Sequence, residues 1–384
     1  MIYLDNAATS WPKPESVYQA VDKALREFGG SYGRGSHSMA LAAGESIFEA
    51  RMLCAKLFHA PSPENICFAS NTTEALNLAI KGVLHPGDHV ITGCMEHNSV
   101  SRPLKKLEKV GMQTTKVVTS PESGIDLDAL EKAIQKNTKL VVCNHISNVA
   151  GTINPIKEIG GLCREKGILF LLDAAQSAGM MKIDVIENNI DLLAFPGHKG
   201  LLGPQGTGGL YIREGLILDT LKEGGTGTQS ERYDQPETKP ERYESGTMNL
   251  PGLAGLAAGL KHILSEGLDN IEKRELELTN HLINGLEKIG GVKIYGPKVG
   301  IPRGNVVSIS LESMQPSDVS MILDQVFHIA VRSGLHCARD AHDTLGTMNQ
   351  GGLVRVSPGY FNTEQDAEAF IKAIESITQG EVIS

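Results

Sequence analysis

The sequence predicts an α/β protein, with a mostly parallel, seven-stranded sheet covered by helices and a smaller α+β unit after it. Three observations carry that prediction. Between Ile66 and Ile212, short apolar runs that read as buried strands alternate with segments of helical period, the pattern of repeated βαβ units. Beyond residue 249 the order changes to paired strands separated by helices, which points to a second unit packed on the first. The length of 384 residues leaves room for two domains with substantial cores.

Taken in order, Ile2–Leu4 is a short strand that runs into Asp5-Asn6-Ala7-Ala8-Thr9. Pro14 opens a helix whose apolar positions Val17, Val21, Ala24, Leu25 and Phe28 follow the helical period, and Gly29-Gly30 ends it. The loop Gly33-Arg34-Gly35-Ser36-His37 precedes a second helix with Ile47, Ala50, Cys54 and Leu57 on one face. Strands are expected at Ile66–Ala69, His89–Thr92, Thr115–Val118, Leu140–Cys143, Ile168–Leu172 and Leu192–Phe195. Helices are expected at Thr73–Leu84, Val100–Val110, Leu127–Lys136 and Pro155–Lys166. The step from Phe195 to Leu210-Tyr211-Ile212 has no helical pattern and is short for a parallel crossover, so that strand should be antiparallel. Gly224–Glu244 is a long polar loop. After it come helices at Leu250–Leu264 and Leu268–Ile289, then strands at Val292–Tyr295 and Val306–Leu311. A helix at Ser317–Phe327, strands at Ile329–Arg332 and Leu353–Ser357, and a helix at Thr363–Thr378 close the chain. The expected division is a large domain of 15–248 and a small one built from 1–14 and 249–384.

A net charge of −9 with no basic run argues against a nucleic-acid surface. No long apolar span or leader pattern is present, which fits neither a membrane nor secretion. The six cysteines form no C-x-x-C pair, which suits unpaired thiols in a reducing cytoplasm. Cys54, Cys67, Cys143 and Cys163 sit among apolar neighbours, whereas Cys337 lies in a polar glycine-containing loop.

In open α/β sheets, ligands bind beyond the carboxyl ends of the strands. That edge carries Asn71-Thr72-Thr73, Glu96-His97-Asn98, Ser147-Asn148, Asp173-Ala174-Ala175-Gln176 and His198-Lys199. Thr72 could be a helix cap, His97 a satisfied polar group, and Lys199 a surface lysine. Together they match the needs of pyridoxal phosphate: a lysine for a Schiff base, an acid for the ring nitrogen, and hydroxyls at a helix N-terminus for the phosphate. Neither G-x-x-x-x-G-K-[ST] nor a strand leading into G-x-G-x-x-G occurs.

These residues resemble the class V aminotransferases of fold type I, and among them the group II branch of cysteine desulfurases and selenocysteine lyases. The resemblance runs nearly the whole chain, through Tyr3-Leu4-Asp5-Asn6-Ala7-Ala8, Arg34-Gly35-Ser36-His37, Asp173-x-x-Gln176, Gly197-His198-Lys199, Glu244-Ser245-Gly246-Thr247, Arg332-Ser333-Gly334-Leu335-His336-Cys337 and Arg355-x-Ser357. It implies that Lys199 is the Schiff-base lysine and the acid/base at Cα, that Asp173 pairs with the ring nitrogen, and that His97 stacks on the ring. Gln176 and Asn148 would contact the ring hydroxyl region. Thr72, Thr73 and His198 would hold the phosphate, with Thr247 reaching it from the other subunit of a homodimer. Arg355 would grip the substrate carboxylate, with Arg332, His37 and Asn6 as further substrate-side candidates. Cys337 would attack the sulfur of L-cysteine, leaving L-alanine and an enzyme persulfide for a sulfur-acceptor protein. A loop bearing Arg332, His336 and Arg339 would favour its thiolate.

L-selenocysteine is the alternative substrate, and an epimerase, a kynureninase-like hydrolase or a transaminase the alternative chemistry. A pyridoxal-phosphate sensor, or a sulfur-relay binding partner that has lost catalysis, would be the non-enzymatic reading. Two departures from the group II pattern stand beside Lys199: Pro196 where a serine is usual, and an extra residue placed at Gly200. Both bear on the phosphate contacts.

Overall fold

The computed structural model describes residues 1–32, 35, 37–312 and 314–381, so Arg34 and Ser36 of the second motif lie outside the described residues. The chain opens with β1 (Ile2–Tyr3), α1 (Glu15–Glu27) and α2 (Ser38–Leu57). The alternating stretch gives β2 (Ile66–Ala69), α3 (Thr72–Val83), β3 (His89–Gly93), α4 (Asn98–Glu108) and β4 (Gln113–Val117). A small hairpin, β5 (Thr119–Ser120) and β6 (Gly124–Ile125), leads to α5 (Leu127–Lys132) and β7 (Thr138–Asn144). Then follow α6 (Ile156–Lys166), β8 (Leu169–Asp173), β9 (Leu192–Pro196) and β10 (Gly208–Ile212). Beyond the long loop come α7 (Leu250–Glu266), α8 (Leu268–Leu286), β11 (Val292–Tyr295) and β12 (Val307–Leu311). The chain ends with α9 (Pro316–Gln325), β13 (Ile329–Ala330), β14 (Arg332–Gly334), α10 (Arg339–Leu345), β15 (Leu353–Val356) and α11 (Glu364–Gln379).

The large sheet has seven strands in the order β2-β10-β9-β8-β7-β3-β4. Pairing is parallel from β9 to β4, while β10 runs antiparallel to both β2 and β9. The short step after Lys199 therefore makes the reversal its length requires. Side chains alternate across the sheet, so consecutive residues serve two cores. Val141, Phe170, Leu172, Leu193 and Phe195 pack with α2, α6 and α7, whereas Leu140, Val142, Leu171, Leu192 and Ala194 pack with α3 and α4. Both faces are covered, which is why the strands are apolar runs.

The second sheet, β11-β12-β15-β14, is antiparallel and packs on α8, α9 and α11. Leu4 joins that core, and β1 pairs in parallel with β13, so the N-terminal segment belongs there. Leu253, Leu256, Leu260 and Ile263 of α7, however, lie in the large-sheet core. Ile271 of α8 lies in that core too, and Leu282 of the same helix in the other, so the packing changes core within α8, later than the expected boundary at 248. The expected strand Ile329–Arg332 is two strands in different sheets, because the chain leaves β1 at Ala330 and joins β15 at Arg332. Leu25 departs from expectation as well: it is 64% exposed, and α1 buries Val17 and Ala24 instead.

Gly224–Glu244 contains no helix or strand, but its end is anchored. Both guanidinium nitrogens of Arg51 meet the Glu244 carboxylate at 2.7 Å, and that carboxylate also accepts from the Phe68 N–H at 2.6 Å. Both partners of this ion pair are buried, so removing either strands a charge in the core.

Candidate active site

A cavity of about 220 Å³ opens at the carboxyl ends of the central strands. Thr72, Thr73, His97, Asn148, Asp173, Gln176, His198, Lys199, Arg332 and Arg355 all line it. Ten of the residues singled out from sequence are thus brought together.

One end is built by α3. Asn71 caps that helix, its side chain accepting from the Glu74 N–H at 2.9 Å. Early N–H groups of a helix have no intrahelical acceptor and carry the positive end of its dipole, so Thr72 and Thr73 stand at an anion-binding terminus. The Thr73 hydroxyl lies 2.7 Å from that of Ser99, which in turn lies 2.9 Å from His97 Nδ1. The Ser99 N–H donates to the same nitrogen at 3.0 Å, fixing the imidazole as the cap of α4. Burial, then the charge of Lys199, pulls His97 down to about 4, so its ring is neutral. Burial likewise pulls His198 down to about 4, and its Nδ1 is buried without a partner.

At the centre, the Lys199 amine makes no hydrogen bond or ion pair among the described residues. Burial, then Arg355, pulls its amine down to about 8, which leaves a usable neutral fraction near physiological pH. The loop that carries it is held from below. The His198 carbonyl accepts from the Ser10 N–H at 3.0 Å and Lys13 Nζ at 2.9 Å, and the Lys199 carbonyl accepts from Ser10 Oγ at 2.8 Å. Gly200 has a packing reason: a Cβ there would come within 2.4 Å of the Ala178 carbonyl. The lysine loop therefore approaches the turn after Gln176 backbone to backbone.

Asp173 ends β8 and is buried, its Oδ1 accepting from the Ala175 N–H at 2.9 Å. Burial pushes its carboxyl up to about 6, an acid that calls for a cationic partner. Glu96 lies beside it, outside the cavity, and burial followed by the Asp173 charge pushes it well above the usual carboxylate range. Glu96 is thus neutral, leaving Asp173 as the anion. Gln176 Nε2 donates to the Ala7 carbonyl at 3.1 Å, and Asn148 Nδ2 to the His336 carbonyl at 2.8 Å.

Arg355 projects from β15 into the same space. Its Nη2 meets Asp5 Oδ1 at 2.9 Å, its Nη1 donates to the Asn148 carbonyl at 3.1 Å, and its Nε is buried without a partner. Cys337 is exposed above it, with Arg332 Nη2 3.3 Å from its sulfur. The expected electropositive loop reduces to that one residue. His336 is buried and pulled down to about 2 by burial and Arg355, so it is neutral, and the exposed Arg339 turns to Asp343 at 3.5 Å.

Three expected site residues lie elsewhere. The Asn6 side chain is spent on the Ser357 carbonyl, Asn362 Oδ1 and the Trp11 N–H, tying the N-terminal segment to the loop after β15. His37 is exposed and caps α2, with its Nδ1 accepting from the Ala40 N–H at 3.3 Å. Thr247 is exposed and lines a different hollow. Sequence reasoning in turn missed Ser99, whose only local sign is a serine in the first turn of α4, and the Ser10/Lys13 strap, which has no local sign.

The cavity residues fit pyridoxal phosphate. An unpaired amine, an unpaired buried acid, a neutral imidazole and a helix N-terminus with two threonines face one space, with His198 Nδ1 and Arg355 Nε free for further contacts.

A family model described as aminotransferase class-V matches residues 2–370. A probable cysteine desulfurase of Methanothermobacter thermautotrophicus is 37% identical over 382 residues, 98% of this chain and 94% of that protein. A cysteine desulfurase of Haloferax volcanii is 31% identical over 98% of this chain and 89% of its own length. Among solved structures, the apo cysteine desulfurase of Thermococcus onnurineus superposes with a TM-score of 0.92 at 36% identity, covering 99% of this chain and 95% of that one. The cysteine desulfurase CsdA of Escherichia coli, in an S-sulfonic acid form, gives 0.88 at 26% identity over 98% and 94% of the two chains.

Proposed function

This chain belongs to the class-V aminotransferase family, and we propose that it is a cysteine desulfurase that converts L-cysteine to L-alanine and leaves a persulfide on Cys337. The observation that carries this reading is an exposed thiol with a guanidinium 3.3 Å away, set above a cavity that holds a neutral-prone lysine. Pyridoxal phosphate, when bound, supplies an electron sink for charge developing on the substrate carbon. Thr72, Thr73 and His198 hold its phosphate, Asp173 its ring nitrogen, Gln176 and Asn148 the ring oxygen, and His97 its face.

Arg355, fixed by Asp5, presents a guanidinium edge to the substrate carboxylate, with Arg332 beside it. Lys199 Nζ takes the Cα proton as a neutral amine and returns a proton to the substrate carbon. The Cys337 thiolate attacks the substrate sulfur. The new S–S bond forms as the Cβ–S bond breaks, and the bonding pair stays with the carbon that ends as the methyl of alanine. No external oxidant is needed. The exposure of Cys337 suits hand-over of the sulfur to an acceptor protein. The expected result is a mass increase of one sulfur atom on the Cys337 peptide after L-cysteine is added to purified protein. A peptide that stays unmodified while alanine accumulates would overturn the reading.

The working unit is a homodimer. Leu41, Phe48 and Met52 form an exposed stripe on α2, with Tyr18 and Leu25 exposed on α1 beside it. Thr247 sits at a hollow lined by Leu25, Phe28, Tyr32 and Met248, so this apolar face and Thr247 meet the same partner. No helix among the described residues is long and apolar enough to cross a membrane. Replacing Phe48 and Met52 by glutamate is expected to give a monomer by sedimentation that has lost most of its bound cofactor. A persisting dimer would refute this face.

A further inference from the structure

The Cys337 loop is backed by three buried side chains that the scheme above does not use. Thr347 Oγ1 lies 2.7 Å from His342 Nδ1, and His342 Nε2 lies 3.4 Å from His336 Nδ1. His336 Nε2 lies 3.3 Å from the carbonyl oxygen of Arg332. Their exposures are 1% for Thr347, 0% for His342 and 2% for His336, so water does not compete for these contacts.

Elementary bonding rules assign every hydrogen in this line. A carbonyl oxygen only accepts, so His336 Nε2 carries a hydrogen. Burial holds both imidazoles neutral, with His342 down at about 4, so each ring has a single N–H. His336 Nδ1 is then an acceptor, His342 Nε2 donates to it, and His342 Nδ1 accepts from the Thr347 hydroxyl. The Arg332 carbonyl therefore sets the tautomer of both rings, and the Thr347 hydroxyl supplies the donor that this tautomer of His342 needs at Nδ1.

We propose that Thr347 and His342 are positioning residues for the sulfur chemistry: by satisfying His336 in the tautomer that donates to the Arg332 carbonyl, they pin that carbonyl and keep the Arg332 guanidinium against the Cys337 sulfur. The proposal rests on Cys337 being the nucleophile.

The loop needs such a brace. His336 and Cys337 are consecutive non-glycine residues at φ of 50° and 56°, in the left-handed region that L side chains disfavour. On the cavity side the turn is held by Asn148 on the His336 carbonyl and by the Asn98 N–H on the Cys337 carbonyl, each at 2.8 Å. On the far side the two-histidine line is the hold. Arg355, fixed by Asp5 at 2.9 Å, also acts on the thiol, while in the helix that follows Asp340 pairs with Lys116 at 2.7 Å and Arg339 with Asp343 at 3.5 Å. The Arg332 contact is thus the adjustable influence on the thiolate.

Thr347→Val keeps the shape and removes the donor. Either tautomer of His342 then leaves an unmatched nitrogen, and the bond to the Arg332 carbonyl loses its support. Alkylation of Cys337 by iodoacetamide, followed by peptide mass spectrometry on the holoenzyme across pH with Cys94 as internal reference, reads the consequence. Thr347→Val is expected to slow Cys337 alkylation about fivefold at neutral pH, with the cofactor's visible absorbance unchanged. Persulfide formation by Thr347→Val falls through kcat with KM unchanged, and Thr347→Ser restores the wild-type behaviour in both assays. A Thr347→Val protein with the wild-type Cys337 profile, or a Thr347→Ser protein as slow as the valine variant, overturns the proposal. Alkylation needs no turnover, so a failure of L-cysteine to yield a persulfide would remove the proposed function without touching this result.

Discussion

Cys337→Ala is expected to abolish persulfide formation and to lower alanine release from L-cysteine by about a thousandfold or more. The size follows from the leaving group. Without an attacking thiolate the Cβ–S bond must break to release free sulfide, and no other group among the described residues is placed to take the sulfur. The substitution leaves the fold alone. Cys337 is exposed, and alanine adds no strain to a left-handed φ that already carries a Cβ. Selenide leaves more readily than sulfide, so cleavage of L-selenocysteine should survive in the same variant. Paired assays of alanine from the two substrates therefore separate a thiol that does the chemistry from one that merely sits nearby. Equal turnover of L-cysteine by Cys337→Ala and wild type would exclude the desulfurase reading.

The large sheet was legible because its strands are buried on both faces and its helices sit between them. That makes the alternation a local signal, repeated from Ile66 to Ile212. The antiparallel β10 was legible for a different local reason, the length of the Lys199 turn. What failed depends on distant chain. Ile329–Arg332 is one uninterrupted apolar-to-polar run, yet its first half pairs with Ile2 and Tyr3 from the other end of the sequence. The seven-residue helix α10 was invisible because it buries only Ala341 and His342, too few positions to show a period. Leu25 was misplaced because a helical stripe tells which residues share a face, not whether solvent or a second subunit covers it.

The site divides along the same line. Lys199, Asp173, His97 and Thr73 could be found because each follows a strand, and strand ends converge. The electrostatics could not. His336 looked like a charge in a basic loop, but the fold buries it against His342, and neutrality follows from that burial. Asn6 looked like a substrate contact within a shared motif, yet Ser357 and Asn362, more than 350 positions away, take up its amide. The Lys13 strap beneath the lysine loop is equally remote in sequence, since its acceptor is residue 198.

Asp173→Asn is expected to lower activity by about a hundredfold or more while making the cofactor-free protein more stable at neutral pH. The two effects share one cause. Burial pushes the Asp173 carboxyl from an ordinary 3.8 up to about 6 in the folded protein, partly offset by the Ala175 N–H and the Lys199 charge. A group whose folded pKa is raised contributes stability that is present below the unfolded value and lost as pH rises through the folded one. Above pH 6 the fold therefore bears an ionised carboxylate it disfavours, a cost of about 3 kcal/mol for a shift of about two units. An amide removes the charge but keeps a buried polar group, so the expected gain is about 1–3 kcal/mol. It should be seen as a higher Tm for cofactor-free Asp173→Asn at pH 7.5, and it should shrink as pH falls from about 6 towards about 4. With cofactor bound the order reverses, because the ring nitrogen supplies the cation that the carboxylate lacks, and an amide cannot hold that nitrogen protonated. Equal melting of the two cofactor-free proteins at pH 7.5 would mean that the buried charge is already compensated. An Asp173→Asn holoenzyme of full activity would move the partner of the ring nitrogen elsewhere. The expected pair, a stabler scaffold and a crippled enzyme, would mark Asp173 as a residue held in a costly state for its chemistry.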